Sequence, residues 1–298
     1  MTPLYMLAFD HRSSFSRDLL GIAGTPTRFE TRRVADVKDV VYEGFQLALV
    51  DGLAHETAGL LVDEQYGDRI ARSARGEGVV LAMPVEKSGR AEFEFEFGDA
   101  FSHHIEQFDP TYAKVLVRYN AEGDRALNAR QAERLNELSS WLRRRERKLL
   151  FELLVPAEPE QLERVGGSAE RYDLELRPSL VVDAIRELQD AGVEPHIWKI
   201  EGLDRRADCE RVAEQARSGG RTDVACIVLG RGADDEKVAH WLAQAAAVPG
   251  FVGFAVGRTL WWNELVAYVA DEIDRETAAR RIADNFLLMV DTYERCAA

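Results

Sequence analysis

Eight short apolar runs recur along the 298-residue chain, and each is followed by a longer stretch of mixed polarity. The runs cover residues 4–9, 59–62, 79–83, 113–117, 149–155, 197–200, 225–229 and 252–256. Continuous apolar runs of this length are typical of parallel strands that are covered on both faces. Eight such strands alternating with helices predict an α/β fold, the (β/α)8 or TIM barrel, which typically takes about 250 residues.

The stretches between the runs repeat their apolar residues at helical spacing. Helices are predicted over residues 33–51, 129–147, 180–191, 204–217 and 234–247, with one or two more over 271–295. Pro178 suits the first turn of the third of these helices, and Gly192 suits its end. Because no linker, repeat or low-complexity block interrupts the pattern, residues 1–298 are predicted to form a single domain.

Residues 92–97 alternate strictly between glutamate and phenylalanine. This pattern predicts a half-buried strand or an extended loop after the third strand. The functional alternatives are a loop that covers the substrate and a contact between subunits.

Composition and charge narrow the class of partner. Hydrophobic residues make up 46% of the chain and charged residues 30%, as in ordinary globular proteins. The formal net charge of -14 disfavours nonspecific binding to nucleic acid or to an anionic membrane. A small cationic pocket for a phosphorylated metabolite is compatible with this acidic balance, and a homo-oligomer is left open.

Other sequence features bear on location and cofactors. Cys209, Cys226 and Cys296 are few and widely spaced, so no disulfide framework is predicted. The start lacks a signal-peptide pattern and no apolar run reaches about 18 residues, which favours a cytoplasmic protein without a membrane span. The sequence has no nucleotide-binding glycine motif and no zinc-type histidine spacing, so a metal-independent activity is expected. Asp63 and Glu64 are left as a weak Mg²⁺ alternative.

Lys199 is the most informative charged residue, because it lies inside the sixth apolar run. In this fold the catalytic side chains come from the C-terminal ends of the strands and the loops that follow them. Burial and neighbouring cations favour a neutral amine, which is the form that attacks a ketone to give a Schiff base. The alternatives are a lysine at a strand edge with its head in solvent and a structural ion pair.

Two further charged residues are predicted to meet Lys199 inside the barrel mouth. Glu152 lies in the fifth run, where a carboxylate is expected to have a raised pKa that suits proton transfer near neutral pH. Lys114 lies in the fourth run, on the same strand face as Leu116 and Arg118. Glu152 is predicted to transfer protons or to pair with a neighbouring lysine, and the two roles are compatible.

The last two strands are followed by glycine and arginine. Gly230, Arg231 and Gly232 follow the seventh run, and Gly257 and Arg258 follow the eighth. Glycine lets the backbone approach an anion closely, and barrels often bind phosphate after their last two strands. Each segment alone is typical of an ordinary turn, but together they predict a phosphate site.

Short blocks along nearly the whole chain resemble tagatose 1,6-bisphosphate aldolases, which are class I enzymes on (β/α)8 barrels. The blocks are LAFDHR at 7–12, LLVDEQYG at 60–67, KVLVRY at 114–119, FELL at 151–154, WKIE at 198–201 and GR at 257–258. A closer resemblance, carried by residues 4–15 and 101–110, is to the aldolase-like C-terminal domain fused to some bacterial 5-dehydro-2-deoxygluconokinases. This chain would be a free-standing version of that domain.

The resemblance implies a place in myo-inositol breakdown and a functional link to a sugar kinase. The implied substrate is 6-phospho-5-dehydro-2-deoxy-D-gluconate, which would be cleaved to dihydroxyacetone phosphate and malonate semialdehyde. Lys199 matches the family's Schiff-base lysine, and Glu152 matches its proton-transfer glutamate. Lys114 matches a second active-site lysine, and Asp10 matches an active-site aspartate.

The resemblance also extends to the anionic ends of the substrate. Gly257 and Arg258 match part of the family's phosphate site. At Arg118 the tagatose enzymes tend to have an aromatic residue, which puts the tagatose substrate in doubt more than the chemistry. An added cation suits a substrate with a terminal carboxylate, because a guanidinium can bind a carboxylate through two hydrogen bonds. Arg118, Arg12 or Arg177 is expected to bind that carboxylate.

Two other functions are left open by the sequence. Another class I aldol lyase, acting on a ketohexose bisphosphate or a sulfosugar phosphate, would use the same residues. A non-catalytic sugar-phosphate sensor, or a binding partner of a kinase, would have the same fold, since a fold does not imply a function. The buried Lys199 and Glu152 favour catalysis, because binding alone requires neither.

Overall fold

A computed structural model describes residues 2–297 and contains eight strands. They are β1 (Leu4–Ala8), β2 (Ala58–Leu61), β3 (Val80–Pro84), β4 (Tyr112–Arg118), β5 (Lys148–Leu154), β6 (Ile197–Glu201), β7 (Ala225–Leu229) and β8 (Phe251–Val256). The strands close in chain order into a parallel barrel, in which β1 pairs with both β2 and β8. The predicted (β/α)8 barrel is confirmed, and each apolar run matches a strand to within one residue at either end.

The helices lie around the outside of the barrel. They are α1 (Ser13–Leu20), α2 (Arg28–Val50), α3 (Glu64–Glu77), α4 (Phe101–Phe108), α5 (Arg125–Arg143), α6 (Pro159–Arg164), α7 (Ala169–Arg171), α8 (Arg177–Asp190), α9 (Arg206–Ala216), α10 (Asp235–Ala246), α11 (Arg258–Val269) and α12 (Arg275–Ala297). A 3₁₀ turn, Gly98–Ala100, precedes α4, and a π-helical turn, Tyr172–Leu176, joins α7 to α8.

Two predicted helix starts, those of α2 and α5, were wrong, and capping side chains explain the observed positions. The Thr27 side chain accepts a hydrogen bond from the Glu30 backbone, and the Glu30 carboxylate accepts one from Thr27, so this capping box starts α2 at Arg28 instead of at residue 33. Asp124 accepts hydrogen bonds from the first turn of α5, which begins at Arg125 instead of at residue 129. The segment predicted at 271–295 contains one helix, α12, which begins at Arg275. Helix α11 was not predicted, because its apolar residues do not form one stripe.

Side-chain alternation along each strand separates the barrel interior from the helix layer. A small apolar cluster fills the interior and consists of Leu4, Met6, Ala8, Leu61, Ala82, Leu150, Ile197, Ala225, Ile227 and Ala255. Lys199 lies two residues after Ile197, and Glu152 lies two residues after Leu150, so both charged side chains enter the interior above this cluster. The larger part of the core packs the outer faces of the strands against the helices.

Two further features complete the fold. Residues 92–97 form the extended loop that the alternation allowed, with an antiparallel bridge between Phe95 and Glu86. The last helix, α12, packs along α2, where a Cβ on Gly44 would lie 2.8 Å from Cγ2 of Ile282. None of the helices in the described part of the chain has the length and apolar character needed to span a bilayer.

Candidate active site

A cavity of about 830 Å³ opens at the C-terminal end of the barrel. Its floor carries Asp10, Lys114, Glu152 and Lys199, and its walls come from the loops after the strands. Catalytic side chains of (β/α)8 barrels lie at this end. The structure therefore brings the four residues predicted for catalysis into one site, although they are separated by up to 189 positions along the chain.

Lys199 and Glu152 face each other because β5 and β6 pair in a register that sets these two residues side by side. The Nζ atom of Lys199 lies 3.0 Å from Oε1 of Glu152. The exposed fraction is 4% for Lys199 and 7% for Glu152, so the pair lies almost out of contact with bulk water. Charge-assisted contacts are strong in such surroundings.

Lys114 lies at the centre of three carboxylates. Its Nζ atom is 2.8 Å from Oδ2 of Asp10, 2.8 Å from Oε1 of Glu86 and 3.1 Å from Oε2 of Glu152. An ammonium has three N–H donors, so each carboxylate can take one. Burial opposes the charged form, but the three carboxylates outweigh it and raise the pKa of Lys114 above its ordinary value. Lys114 is therefore held as a cation.

The same cluster corrects one expectation about Glu152. Its apolar run predicted a raised pKa, and burial does act in that direction. Lys114 and Lys199 outweigh the burial and hold the pKa of Glu152 below its ordinary value. Burial likewise raises the pKa of Asp10, but Lys114, with smaller contributions from His11 and Lys199, lowers it overall. Both carboxylates are ionised near neutral pH.

Glu86 is a member of the cluster that was not among the predicted site residues. It follows β3, is buried, and contacts Lys114. Burial raises the pKa of Glu86, although Lys114 and Arg12 act against it. A glutamate three residues after the third apolar run was the available signal, but acidic residues at strand ends are too common to single it out from sequence.

His11 also lines the cavity without having been predicted. Its Nδ1 atom is buried and has no hydrogen-bond partner among the described residues. Its ring packs against the Trp261 ring, with centroids 5.6 Å apart. Burial, which outweighs the opposing charge of Asp10, lowers the pKa of His11 to about 4. The imidazole is therefore neutral at physiological pH.

The loops after β7 and β8 form a close-packed corner of the cavity. Gly232 lies directly under the Arg258 guanidinium, because a Cβ at this glycine would come within 2.7 Å of Nη2 of Arg258. At Gly257 a Cβ would lie 2.4 Å from the backbone oxygen of Ala8, so the β8 end passes closely over β1. Gly230 lies beside them in the cavity wall.

Arg231 lies in the same corner but is held by carboxylates. Its Nη1 atom is 2.7 Å from Oδ2 of Asp173, and its Nε atom is 3.1 Å from Oε1 of Glu201. The backbone of Arg231 has a φ of 52°, in the left-handed region that non-glycine residues rarely adopt. An anion at this residue has to compete with both carboxylates.

The three arginines considered for the substrate carboxylate have different surroundings. Arg12 is buried and contacts Glu86 and Glu96. Arg177 is buried behind the cavity wall, where it donates to Asp173 and to the backbone oxygen of Gly202.

Arg118 is different, because it is exposed and lines the cavity. Its guanidinium donates one hydrogen bond, to the backbone oxygen of Arg90 at 3.1 Å. Among the three, it is the arginine without a carboxylate partner in the described part of the chain.

The acidic residues left as a Mg²⁺ alternative have other partners. Asp63 is fully buried, pairs with Lys38, and accepts a hydrogen bond from the Tyr66 backbone at the start of α3. Glu64 lies 3.6 Å from Nε2 of His104. Within residues 2–297, no group of three or more metal-ligating side chains comes together.

Comparison with protein families gives one match along almost the full length. The family model described as "Uncharacterized protein conserved in bacteria (DUF2090)" matches residues 1–297. None of the curated protein sequences matches the chain.

Solved structures with a similar fold include aldolases. Fructose-bisphosphate aldolase from Plasmodium falciparum, in complex with TRAP and a small-molecule inhibitor, superposes with a TM-score of 0.69 at 13% identity, over 98% of this chain and 91% of its own. A Schiff-base-forming fructose-1,6-bisphosphate aldolase has a TM-score of 0.56 at 14% identity, over 96% and 94%. Cgl0159 from Corynebacterium glutamicum has a TM-score of 0.59 at 18% identity, over 96% and 86%. These likenesses show an aldolase-like fold.

Proposed function

We propose that this chain, which belongs to the DUF2090 family of proteins conserved in bacteria, is a class I aldol lyase that acts through a Schiff base on Lys199. The observation that carries the proposal is the 3.0 Å contact between Nζ of Lys199 and Oε1 of Glu152 inside the cavity. A nucleophile beside a proton acceptor is the arrangement that covalent catalysis requires. The aldolase-like fold is consistent with it.

The partners of the two lysines support Lys199 as the nucleophile. Lys114 contacts three carboxylates and is held as a cation, so it is poorly suited to attack a carbonyl. Lys199 contacts one carboxylate, Glu152, among the described residues. Transfer of one proton to Glu152 leaves a neutral amine on Lys199. Lys114 is then the fixed charge that orients Glu152 through its second oxygen.

The first half of the reaction forms the Schiff base. Neutral Lys199 adds to the substrate ketone and gives a carbinolamine. Protonated Glu152 returns its proton to the carbinolamine hydroxyl, which leaves as water. The product is a protonated iminium on Lys199, and Glu152 is again a carboxylate ready to act as a base.

The second half breaks the carbon–carbon bond. For the proposed substrate, 6-phospho-5-dehydro-2-deoxy-D-gluconate, the iminium is at C5 and Glu152 takes the proton of the C3 hydroxyl. The electrons of the C3–C4 bond move to the iminium, which becomes an enamine, and malonate semialdehyde leaves with C3 as its aldehyde. Glu152 protonates the enamine at C4, and water then releases dihydroxyacetone phosphate from Lys199.

The distribution of cations supports a substrate with an anionic group at each end. Arg258 lies at the end of β8, and Arg118 lies at the end of β4, on the opposite side of the eight-stranded ring. Lys199, on β6, is two strands from each. The ketone next to the phosphorylated carbon would lie at Lys199, with the phosphate toward Gly232 and Arg258 and the carboxylate toward Arg118.

We also propose that the reaction takes place in the cytoplasm and follows a separate sugar kinase that supplies the phosphorylated substrate. The sequence resemblance to a kinase-fused domain supports this link. Co-purification of a tagged copy of the chain with such a kinase tests a direct contact. Cleavage rates measured with and without the kinase test a link that is purely metabolic.

Borohydride reduction in the presence of substrate, followed by mass spectrometry, tests the proposed chemistry. We expect a reduced adduct on Lys199 in the wild-type protein and none in Lys199→Ala, with no loss of activity in EDTA. An adduct that persists in Lys199→Ala would overturn the proposal. Parallel assays with tagatose and fructose bisphosphates and a sulfosugar phosphate identify the preferred substrate, and tight binding without cleavage would instead indicate a sensor.

A further inference from the structure

The extended segment Glu92–Phe97, called the strap below, returns antiparallel beside the end of β3. The Glu96 amide donates to the backbone oxygen of Val85 at 3.0 Å, and the Lys87 amide donates to the backbone oxygen of Glu94 at 2.9 Å. Phe95 bridges to Glu86 in the same arrangement. The strap is therefore attached by backbone hydrogen bonds to Val85 and Lys87, the two residues that flank Glu86.

The phenylalanines of the strap fix it to the outer helices. Phe93 is buried, and its amide donates to the side-chain oxygen of Gln131 on α5 at 2.9 Å. The Phe95 ring stacks on the Phe101 ring with centroids 4.3 Å apart. Packing of this kind, with a backbone hydrogen bond to a buried amide, is typical of a fixed support and not of a mobile lid.

One glutamate of the strap, Glu96, reaches the active site through an arginine. Glu96 lies 3.1 Å from Nη1 of the buried Arg12. Nη2 of Arg12 donates to the backbone oxygen of Glu86 at 2.6 Å. The Glu86 carboxylate lies 2.8 Å from Lys114. Charges of alternating sign thus run from the strap to the lysine that orients Glu152.

We propose that Glu86 is a positioning residue for the Lys114–Glu152 pair, and that the strap fixes Glu86 in place through Glu96 and Arg12. This inference rests on the proposed aldol chemistry of Lys199. It gives a role to the alternating segment, and it makes Arg12 part of the support and not a ligand for the substrate.

The physical reason is competition for one ammonium. Glu86 and Asp10 take two of the three N–H donors of Lys114, so the third is directed at Glu152. The charges that face Glu152 are Lys199 on β6, Lys114 on β4 and Asp10 after β1. When Glu86 loses its charge, Lys114 is less neutralised and attracts the Glu152 carboxylate more strongly. Glu152 then becomes a weaker base.

Carbon-13 carboxyl NMR of the ligand-free protein tests the inference without any substrate. In Glu86→Gln we expect the Glu152 resonance to titrate about one pH unit lower than in the wild type. With the proposed substrate, the acidic side of the pH dependence of kcat should also move to lower pH in Glu86→Gln. In this variant kcat should fall about tenfold while KM stays nearly unchanged. A purely structural role of Glu86 would move neither the resonance nor the pH dependence of kcat.

The strap offers a matched pair of variants. Glu96→Gln removes the negative charge that Arg12 contacts on the strap. Arg12 then stabilises the ionised form of Glu86 more strongly, so the Glu86 resonance should titrate at lower pH. Glu94→Gln makes the same change in the same segment, but the Glu94 side chain is 44% exposed and its partner Lys87 lies 3.9 Å away. We expect Glu94→Gln to leave the titration of Glu86 and Glu152 as in the wild type.

The outcomes separate the two proposals. Equal titration of Glu152 in Glu86→Gln and in the wild type overturns the positioning role. Equal effects of Glu96→Gln and Glu94→Gln overturn the role of the strap. If the NMR shifts appear but the wild-type protein forms no borohydride-trapped adduct, the coupling of Glu96 to Lys114 through Arg12 and Glu86 is supported and the aldol chemistry is excluded.

Discussion

The partners of each charged side chain decide its role in the cavity. Glu152 lies between two lysines, which keep it ionised. Arg12 and Arg177 have the same guanidinium as Arg118, but carboxylates already contact both of them. Residue type alone therefore does not distinguish these arginines, whereas their contacts do.

Replacement of Glu152 by glutamine should abolish most of the cleavage. A glutamine has nearly the same shape but cannot take the proton of the substrate hydroxyl, so kcat should fall by about 10²- to 10⁴-fold. Steady-state cleavage rates measure the loss, with Glu122→Gln, an exposed glutamate on another loop, as the charge-matched control. A rate for Glu152→Gln within twofold of the wild type would exclude Glu152 as the base.

Replacement of Arg118 by glutamine should weaken binding of the carboxylate end alone. The concentration of the keto-sugar acid needed for half-maximal trapping on Lys199 should rise about tenfold, because a bidentate contact is lost. Trapping with dihydroxyacetone phosphate, which has no carboxylate, should not change.

Arg130→Gln is the control for this variant, since Arg130 carries the same charge and contacts the same loop through Glu92 but does not line the cavity. Equal losses for the two ketones in Arg118→Gln would contradict a carboxylate site.

Single elements determine how the loops around the cavity are held together. The π-helical turn Tyr172–Leu176 brings Asp173 between Arg177 and Arg231, which ties α8 to the loop after β7. π-helical turns are rare in proteins overall, but those that occur lie frequently at functional sites. The pairing explains why Arg177 lies behind the wall and why Arg231 faces carboxylates.

Substitution of alanine for Gly257 should destabilise the junction of β8 and β1. The added Cβ would lie 2.4 Å from the backbone oxygen of Ala8, which cannot move without shifting β1. We expect a loss of about 1–3 kcal/mol in the free energy of unfolding, measured by urea denaturation.

Gly230→Ala is the comparison variant. The Cβ added at Gly230 would lie 3.2 Å from a Val256 methyl group, and the Val256 side chain can move to relieve this contact. Equal losses for the two variants would show that the approach of the backbone at Gly257 is not limiting.

At the scale of the whole molecule, an acidic chain encloses a cavity whose rim carries arginines. The chain has a formal net charge of -14, whereas Arg118 and Arg258 line the cavity. Such a site can attract a small anion locally although the protein as a whole repels it.

His11 should make the stability of the whole protein depend on pH. Its pKa is lowered to about 4 from an ordinary value of 6.5, so the folded state disfavours its protonation. The contribution is fully present above pH 6.5 and is lost as the pH falls through about 4, by at most about 3 kcal/mol.

Urea midpoints between pH 7 and pH 4 measure this contribution. The decline should be smaller in His11→Gln than in the wild type, because glutamine does not titrate and the other titrating groups are common to both proteins. Parallel declines in the two proteins would contradict a buried neutral His11.

The sequence by itself determined the barrel and part of its site. Strands that are covered on both faces require continuous apolar runs, so eight runs were enough to predict eight strands. A charge inside such a run needs a partner, which is why Lys114, Glu152 and Lys199 were recognisable.

The tertiary structure decided the contacts within the site, because contacts such as Lys114 with Asp10 join residues 104 positions apart. Closure of the ring brings Glu86, which follows β3, and His11, which follows β1, to one cavity. Carboxylates contact Arg12 and Arg177, whereas Arg118 has no carboxylate partner in the described part of the chain. The sequence pattern indicates which residues are buried, but only the fold shows which groups contact each buried charge.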